Sequence, residues 1–149
     1  SNVVMQRLSL LSQQAFNLIR TASVIGARIE LSLIQECTGY QNQELFDALD
    51  ELIIKQFFIY EDKKYHFSHD RVRETLYSEF DEIEKRKLHN RIGQLIEANN
   101  SKNIEDFLND LAYHFNRANN YEKAINYTKR AGIQSKEKGN FSEGIVFFF

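Results

Sequence analysis

Four side-chain groupings in this chain have the residue types for chemistry. His66 and His69 form an H-x-x-H pair of the kind that can share a metal ion. They straddle the end of an expected strand and the start of an expected helix, and no cysteine or carboxylate pair at ligand spacing joins them, so no metal site is expected. Gly139 and Gly144 keep the interval of a phosphate-binding loop, but Ile145 and Val146 stand where that loop needs Lys and Ser or Thr. Cys37 follows Glu36 near a helix end, where the dipole disfavours a thiolate, and reads as core filler. His69 and Asp70 open a helix. His69 precedes Val72 by three residues and Leu76 by seven, which puts it on the core-facing stripe, while Asp70 in the first turn complements the helix dipole. No Ser, His and acid set and no paired acids occur, so the chain is expected to be non-catalytic.

The elements that must position these residues follow from periodicity. Ser12 caps a helix carrying Ala15, Phe16, Leu18, Ile19 and Ala22 and ending near Gly26. A brief extended piece at residues 27–29 precedes a short helix with Leu31, Leu33, Ile34 and Cys37, stopped by Gly39. From Asn42 as cap, Leu45, Phe46, Ala48, Leu49, Leu52 and Ile53 trace a third helix ending around Lys55. The aromatic and β-branched runs at residues 57–60 and 65–67 flank Glu61-Asp62-Lys63-Lys64, a polar four-residue connection suited to a hairpin. Helix, short strand, helix, helix, hairpin is the order of a winged helix. Ser68 then caps a helix with Val72, Leu76 and Phe80, and a longer helix from about Asp81 carries Ile83, Leu88, Ile92, Leu95 and Ile96. The polar run at residues 99–103 is the best boundary. Beyond it, residues 120–125 (NYEKAI) are echoed by residues 140–145 (NFSEGI), each after a turn, at Asn119 and at Gly139, as in stacked helical repeats.

The chain has 149 residues, 42% hydrophobic and 27% charged, with a formal charge of −2 and no proline. That composition suits a mostly helical globular chain, and the charge advertises neither nucleic acid nor an anionic membrane as partner. No apolar run approaches the ~20 residues needed to span a bilayer, and a single cysteine fits a reducing cytoplasm. The third helix carries Glu44, Asp47, Asp50 and Glu51 against Lys55 alone, the wrong charge for phosphate contact in a major groove. Ser1-Asn2 is what a protease can leave after tag removal, and residues 144–149 stop inside an uncapped apolar stretch, so a piece of a longer chain is expected. Residues 145–149 are apolar on every side of a helix and are expected to self-associate or to fold back near Tyr113, Ala124 and Tyr127.

FSHDRVRETLY at residues 67–77, KLHNRIGQLIE at 87–97 and DLAYHFNRANNYEKAINYTKRAG at 110–132 follow in one order. This succession resembles the region after the ATPase core in signal-transduction ATPases with numerous domains, which include fusions to transcription regulators, nucleotide cyclases and hybrid kinases. The resemblance implies a winged helix followed by antiparallel helical hairpins of tetratricopeptide type. It also implies that His69 senses ADP bound to the core and that Asp70 holds the helix start in place. A helix N-terminus with an added imidazole donor suits a β-phosphate.

The chain is therefore expected to be mostly α, with a winged helix over residues 1–80, a connecting helix over 81–100 and the start of tetratricopeptide-like repeats over 101–149. Its expected role is a cytoplasmic regulatory and interaction module that packs on an upstream ATPase core in cis and receives a protein or small-molecule signal at the repeats. It calls for no cofactor of its own, ADP or ATP belonging to the parent protein. The alternatives are a DNA-binding winged-helix regulator with a helical dimerisation tail, and a scaffold that only binds protein.

Overall fold

A computed structural model describes residues 2–148, and the side chains of residues 3–139. The described residues are mostly helical, with one small antiparallel sheet of three strands. Two compact units, Ser1–Leu88 and His89–Phe149, divide the chain, and the division falls inside a helix. Among the described residues no helix is long and apolar enough to cross a membrane.

The first unit opens with a helix that the periodicity did not announce, α1 (Asn2–Leu8), whose last residue, Leu8, is buried. Ser12 caps α2 (Gln13–Ile25) as its type requires: its Oγ accepts a hydrogen bond from the Ala15 amide at 3.1 Å. The stripe Ala15, Leu18, Ile19 and Ala22 is buried. The extended piece after Gly26 is β1 (Arg28–Ile29), and α3 (Leu31–Thr38) ends on Gly39, whose φ of 73° is left-handed. Helix α4 (Asn42–Ile54) begins one residue sooner than expected. Gln41 is the cap, because its carbonyl already accepts from the Leu45 amide and so closes the first turn. Phe46, expected among the apolar set, is 45% exposed. The buried residues are Leu45, Ala48, Leu49 and Leu52, and Phe46 is turned about 100° from Leu45 around the axis.

At its C-terminal end α4 closes with paired bonds, Phe57 N–H to Leu52 O at 2.8 Å and Gln56 N–H to Ile53 O at 2.9 Å, which place Gln56 at a φ of 66°. The chain then enters β2 (Phe58–Glu61) and β3 (Lys64–Phe67). The expected four-residue connection is tighter than the polar run suggested. Glu61 and Lys64 pair across the ladder, and Asp62 and Lys63, at φ 53° and 63°, make the turn alone. Two left-handed residues in succession match the right-handed twist of the strands. Strand β3 is central, with β2 on one side and β1 on the other, Arg28 facing His66 and Ile29 facing Tyr65. Phe58 and Phe67 meet edge-on at 5.1 Å between ring centres.

Helix α5 (Asp70–Ser78) packs on α2 and buries Val72 and Leu76. Helix α6 (Glu82–Asn99) starts at Asp81, whose Oδ1 accepts from the Glu84 amide at 2.8 Å. That bond holds the Asp81 carboxyl below its ordinary range. Ile83, expected on the apolar stripe of α6, is 64% exposed, because the buried residues of the helix are His89, Ile92, Gly93 and Ile96.

The second unit consists of the later turns of α6, a 3-10 turn (Ile104–Phe107), α7 (Leu108–Arg117) and α8 (Tyr121–Phe148). A turn through Asn119, at φ 61°, folds α8 back along α7. Phe115 stacks on Tyr127, with ring centres 5.9 Å apart and planes 13° from parallel. The second turn expected at Gly139 does not form. Gly139 keeps out of the left-handed region and the helical ladder of α8 runs through it, so residues 140–145 open no new helix. The expected association through residues 145–149 concerns side chains outside the described residues.

Two substitutions test this packing. A Cβ at Gly93 would lie 2.7 Å from the Phe115 ring, so Gly93→Ala should lose about 1–2 kcal/mol, overpacking exceeding the gain in helix propensity. A thermal melt at or above the wild-type midpoint would contradict that close approach. Gln56→Gly relieves a left-handed conformation and should raise stability by about 0.5–1 kcal/mol, read as a higher urea midpoint with an unchanged slope.

Candidate functional site

The junction between β3 and α5 carries His69 and Asp70. Its backbone is held on both sides of the sheet: Phe67 N–H donates to Ala27 O at 3.1 Å, and Ser68 N–H donates to Phe57 O at 2.8 Å. Ser68 is therefore the last residue tied to the sheet and does not cap α5. The cap is His69, with extended backbone (φ −141°, ψ 129°), its carbonyl accepting from the Val72 amide at 3.2 Å. Its imidazole makes no capping bond and stands exposed, as does Asp70 in the first turn. The core-packing reading of His69 is thereby corrected: the cap position lies outside the Val72 and Leu76 stripe. Two polar atoms near this junction, Ser68 Oγ and Arg73 Nε, are shielded from solvent without a hydrogen-bond partner.

The other histidine of the H-x-x-H pair is occupied elsewhere. His66 on β3 is half-buried, and its Nε2 lies 3.0 Å from Glu61 O. Among the described residues no group of three or more His, Cys, Asp or Glu side chains gathers as metal ligands. Cys37 is half-buried on α3.

The α4 surface is acidic in three dimensions as well as in sequence. Glu44, Asp47 and Asp50 are exposed, and Asp47 accepts a hydrogen bond from Gln43 at 2.7 Å. The one base of this helix end, Lys55, turns its ammonium to Leu10 O at 2.9 Å and to Glu51 at 3.5 Å. An open groove of about 520 Å³ is lined by Ser12, Gln14, Glu44, Asp47, Ala48 and Glu51. Burial pushes the Glu51 carboxyl up, but hydrogen bonds from Ser12, its amide at 2.7 Å, and the charge of Lys55 together hold it below its ordinary range.

A polar cluster in the second unit escaped the sequence reading. Glu97 on α6 takes Lys123 Nζ at 2.8 Å and the Tyr127 hydroxyl at 2.5 Å, both from α8. Arg130 pairs with Glu105, and Gln134 donates to Glu105 O at 2.9 Å. In the core of the same unit His89 and His114 meet Nδ1 to Nδ1 at 2.9 Å. A helical count from the buried Ile92 and Ile96 passes through His89, which is the signal that could have found it.

Comparison of the chain with protein-family models, with curated proteins and with solved structures finds no match in any of the three.

Burial and the Glu97 carboxylate raise the Tyr127 hydroxyl from 10.0 to about 12. The folded state favours the protonated phenol, so this contribution is complete below pH 10 and is lost as pH rises toward about 12. Burial raises Tyr40 and Tyr65 as well, so ultraviolet titration of the phenolates should show several late steps, of which the one near pH 12 should be removed by Tyr127→Phe. Persistence of the step in the variant would reassign it.

Proposed function

We propose that this chain is a non-catalytic regulatory module of a multidomain signalling ATPase, a winged helix joined to helices of tetratricopeptide type. The first unit supports the winged-helix reading through its order of helix, strand, two helices and hairpin, with β1 completing the sheet. In that reading α4 is the third helix and the Asp62-Lys63 turn is the tip of the wing. The pairing of α7 with α8 supports the helical-repeat reading of the second unit.

The observation that carries the functional reading is the exposed His69 at the start of α5. The resemblance at residues 67–70 assigns this position to ADP bound by an upstream ATPase core. The residues fit one part of that ligand: a helix start presents amides outside the helical ladder, and the imidazole adds a donor beside them. The base and ribose would be held by the core. The terminal phosphate of ADP would supply the negative charge that His69 and the helix start hold, and Asp70 in the first turn serves the helix dipole. The winged helix would thus pack on the core in its ADP state. The second unit would receive a protein or small-molecule signal, in the cytoplasm.

The acidic surface of α4 supports a protein partner over DNA. Phosphate contact draws its affinity from Lys and Arg, and Glu44, Asp47 and Asp50 occupy the exposed side.

The test uses the full-length parent protein. A hydrogen bond to a charged group is worth about 1.5–3 kcal/mol, so His69→Ala should weaken ADP retention roughly tenfold or more and raise basal output. Nucleotide content and basal output both equal to wild type would refute the ADP-sensing role.

A further inference from the structure

Helix α4 sends Leu45, Ala48, Leu49 and Leu52 into the core and turns its opposite side to solvent. From Gln43 to Ile54 that side is about 17 Å long, roughly three helical turns. Two large apolar side chains stand on it, Phe46 at 45% and Ile54 at 78% exposure, one turn before and one turn after Asp50. The strand packed against α4 adds Tyr60, 58% exposed. Single exposed apolar side chains are ordinary, whereas three on one helix and its adjoining strand make a face. Asp50 links the two elements. Burial, the neighbouring Tyr60 and the Asp50 charge together raise the Tyr65 hydroxyl, and the Tyr65 ring lies 4.9 Å from that of Tyr60. At the other edge Glu44 and Asp47 line the open groove of about 520 Å³ that also takes in Ser12 and Gln14.

The charges on this face select its occupant. Glu44, Asp47 and Asp50 follow one another at intervals of three, so they cross the exposed side as a diagonal row from the groove toward Tyr65. None of them is in an ion pair among the described residues. Lys55, the base of this helix end, is drawn back to Leu10 O and Glu51. The carboxylates are spread along the helix and do not converge as metal ligands. Phosphate groups, in nucleic acid or on an anionic membrane, would be repelled by the same row. A second helix bearing bases three or four residues apart matches its spacing, since side chains at that interval lie about 5–6 Å from one another.

We propose that this face docks a basic amphipathic helix of another protein, its Lys and Arg side chains meeting Glu44, Asp47 and Asp50 and its apolar side chains covering Phe46 and Ile54. An arginine of that helix can also lie over the Tyr60 ring, where its planar guanidinium stacks as an ammonium does not. The carboxylates set partner choice and encounter rate, and the apolar side chains supply the burial. The inference rests on the reading of α4 as protein-facing and takes nothing from the role of His69.

The test titrates the nitrogen-15-labelled 149-residue chain with a synthetic helical peptide of about four turns, carrying Arg at every third or fourth residue along one side and Leu beside them. The comparison peptide has the same composition in scrambled order. Amide shifts should concentrate on α4 and β2, and the ordered peptide should bind more tightly than the scrambled one. Asp47→Lys combined with Asp50→Lys should weaken binding roughly tenfold and flatten its salt dependence. Phe46→Ala should weaken it roughly fivefold with the salt dependence kept, and His69→Ala should leave it unchanged. All the substituted side chains are exposed, and an unchanged thermal midpoint checks that the variants fold. Equal affinity for the two peptides, or shifts spread over the whole surface, would overturn the docking site by reducing it to net charge. The same shifts produced by raising the concentration of the chain alone would assign the face to a second copy and overturn the proposal. Binding of a DNA duplex in place of the peptide would overturn the protein-facing reading itself. If neither binds, the docking site is refuted and the ADP-sensing role of His69 is untouched.

Discussion

The central strand of the small sheet is the constraint from which the first unit is organised. β3 gives its amides and carbonyls to β1 on one side and β2 on the other, and its last residues are tied in both directions, Phe67 to Ala27 and Ser68 to Phe57. Those two bonds leave no freedom over where the following helix can begin. α5 must start at His69, with Val72 and Leu76 already aimed at α2, and the side chains of His69 and Asp70 fall outside by default. Their exposure is thus a consequence of strand register, and a one-residue slip in β3 would exchange Tyr65 and Phe67 with His66 between the buried and open faces.

Much of this architecture was legible because its determinants are local. Ser12 as a cap, Gly39 as a left-handed stop and the change from helical to strand period after Lys55 each depend on a few neighbouring residues. What could not be read depends on partners far along the chain. Phe46 fits a generous apolar stripe in sequence, and only the docked position of α4 decides that Leu45 and not Phe46 is covered. The polar run of residues 61–64 has the composition of a four-residue loop. Cross-strand pairing of Glu61 with Lys64 is what shortens it to two. Gly139 followed by Asn140 has the letters of a helix stop, yet letters at a stop matter only if the backbone turns left-handed, and here it does not.

The site was legible in the same uneven way. His69 and Asp70 stand at the helix start, where Ser68, with its better capping chemistry, was the natural choice for the cap. It loses that position because its amide belongs to the sheet. In the second unit, the polar residues on apolar stripes carry no signal of their own in the sequence. They instead meet one another: His89 with His114, and Glu97 with Lys123 and Tyr127, each side chain satisfied by a helix that follows later in the chain.

The register of β1 with β3 also sets how the two units must assemble in time. Arg28 has to find His66 after two helices and a hairpin have intervened, so the sheet is completed only once a long segment has closed on itself. The second unit has no such requirement, since α7 meets α8 across a turn of a few residues and α6 lies shortly before them. Local contacts form early and distant ones late. The helices beyond Leu88 are therefore expected to form first, and the native first unit to wait on the search of a two-residue strand for its sheet.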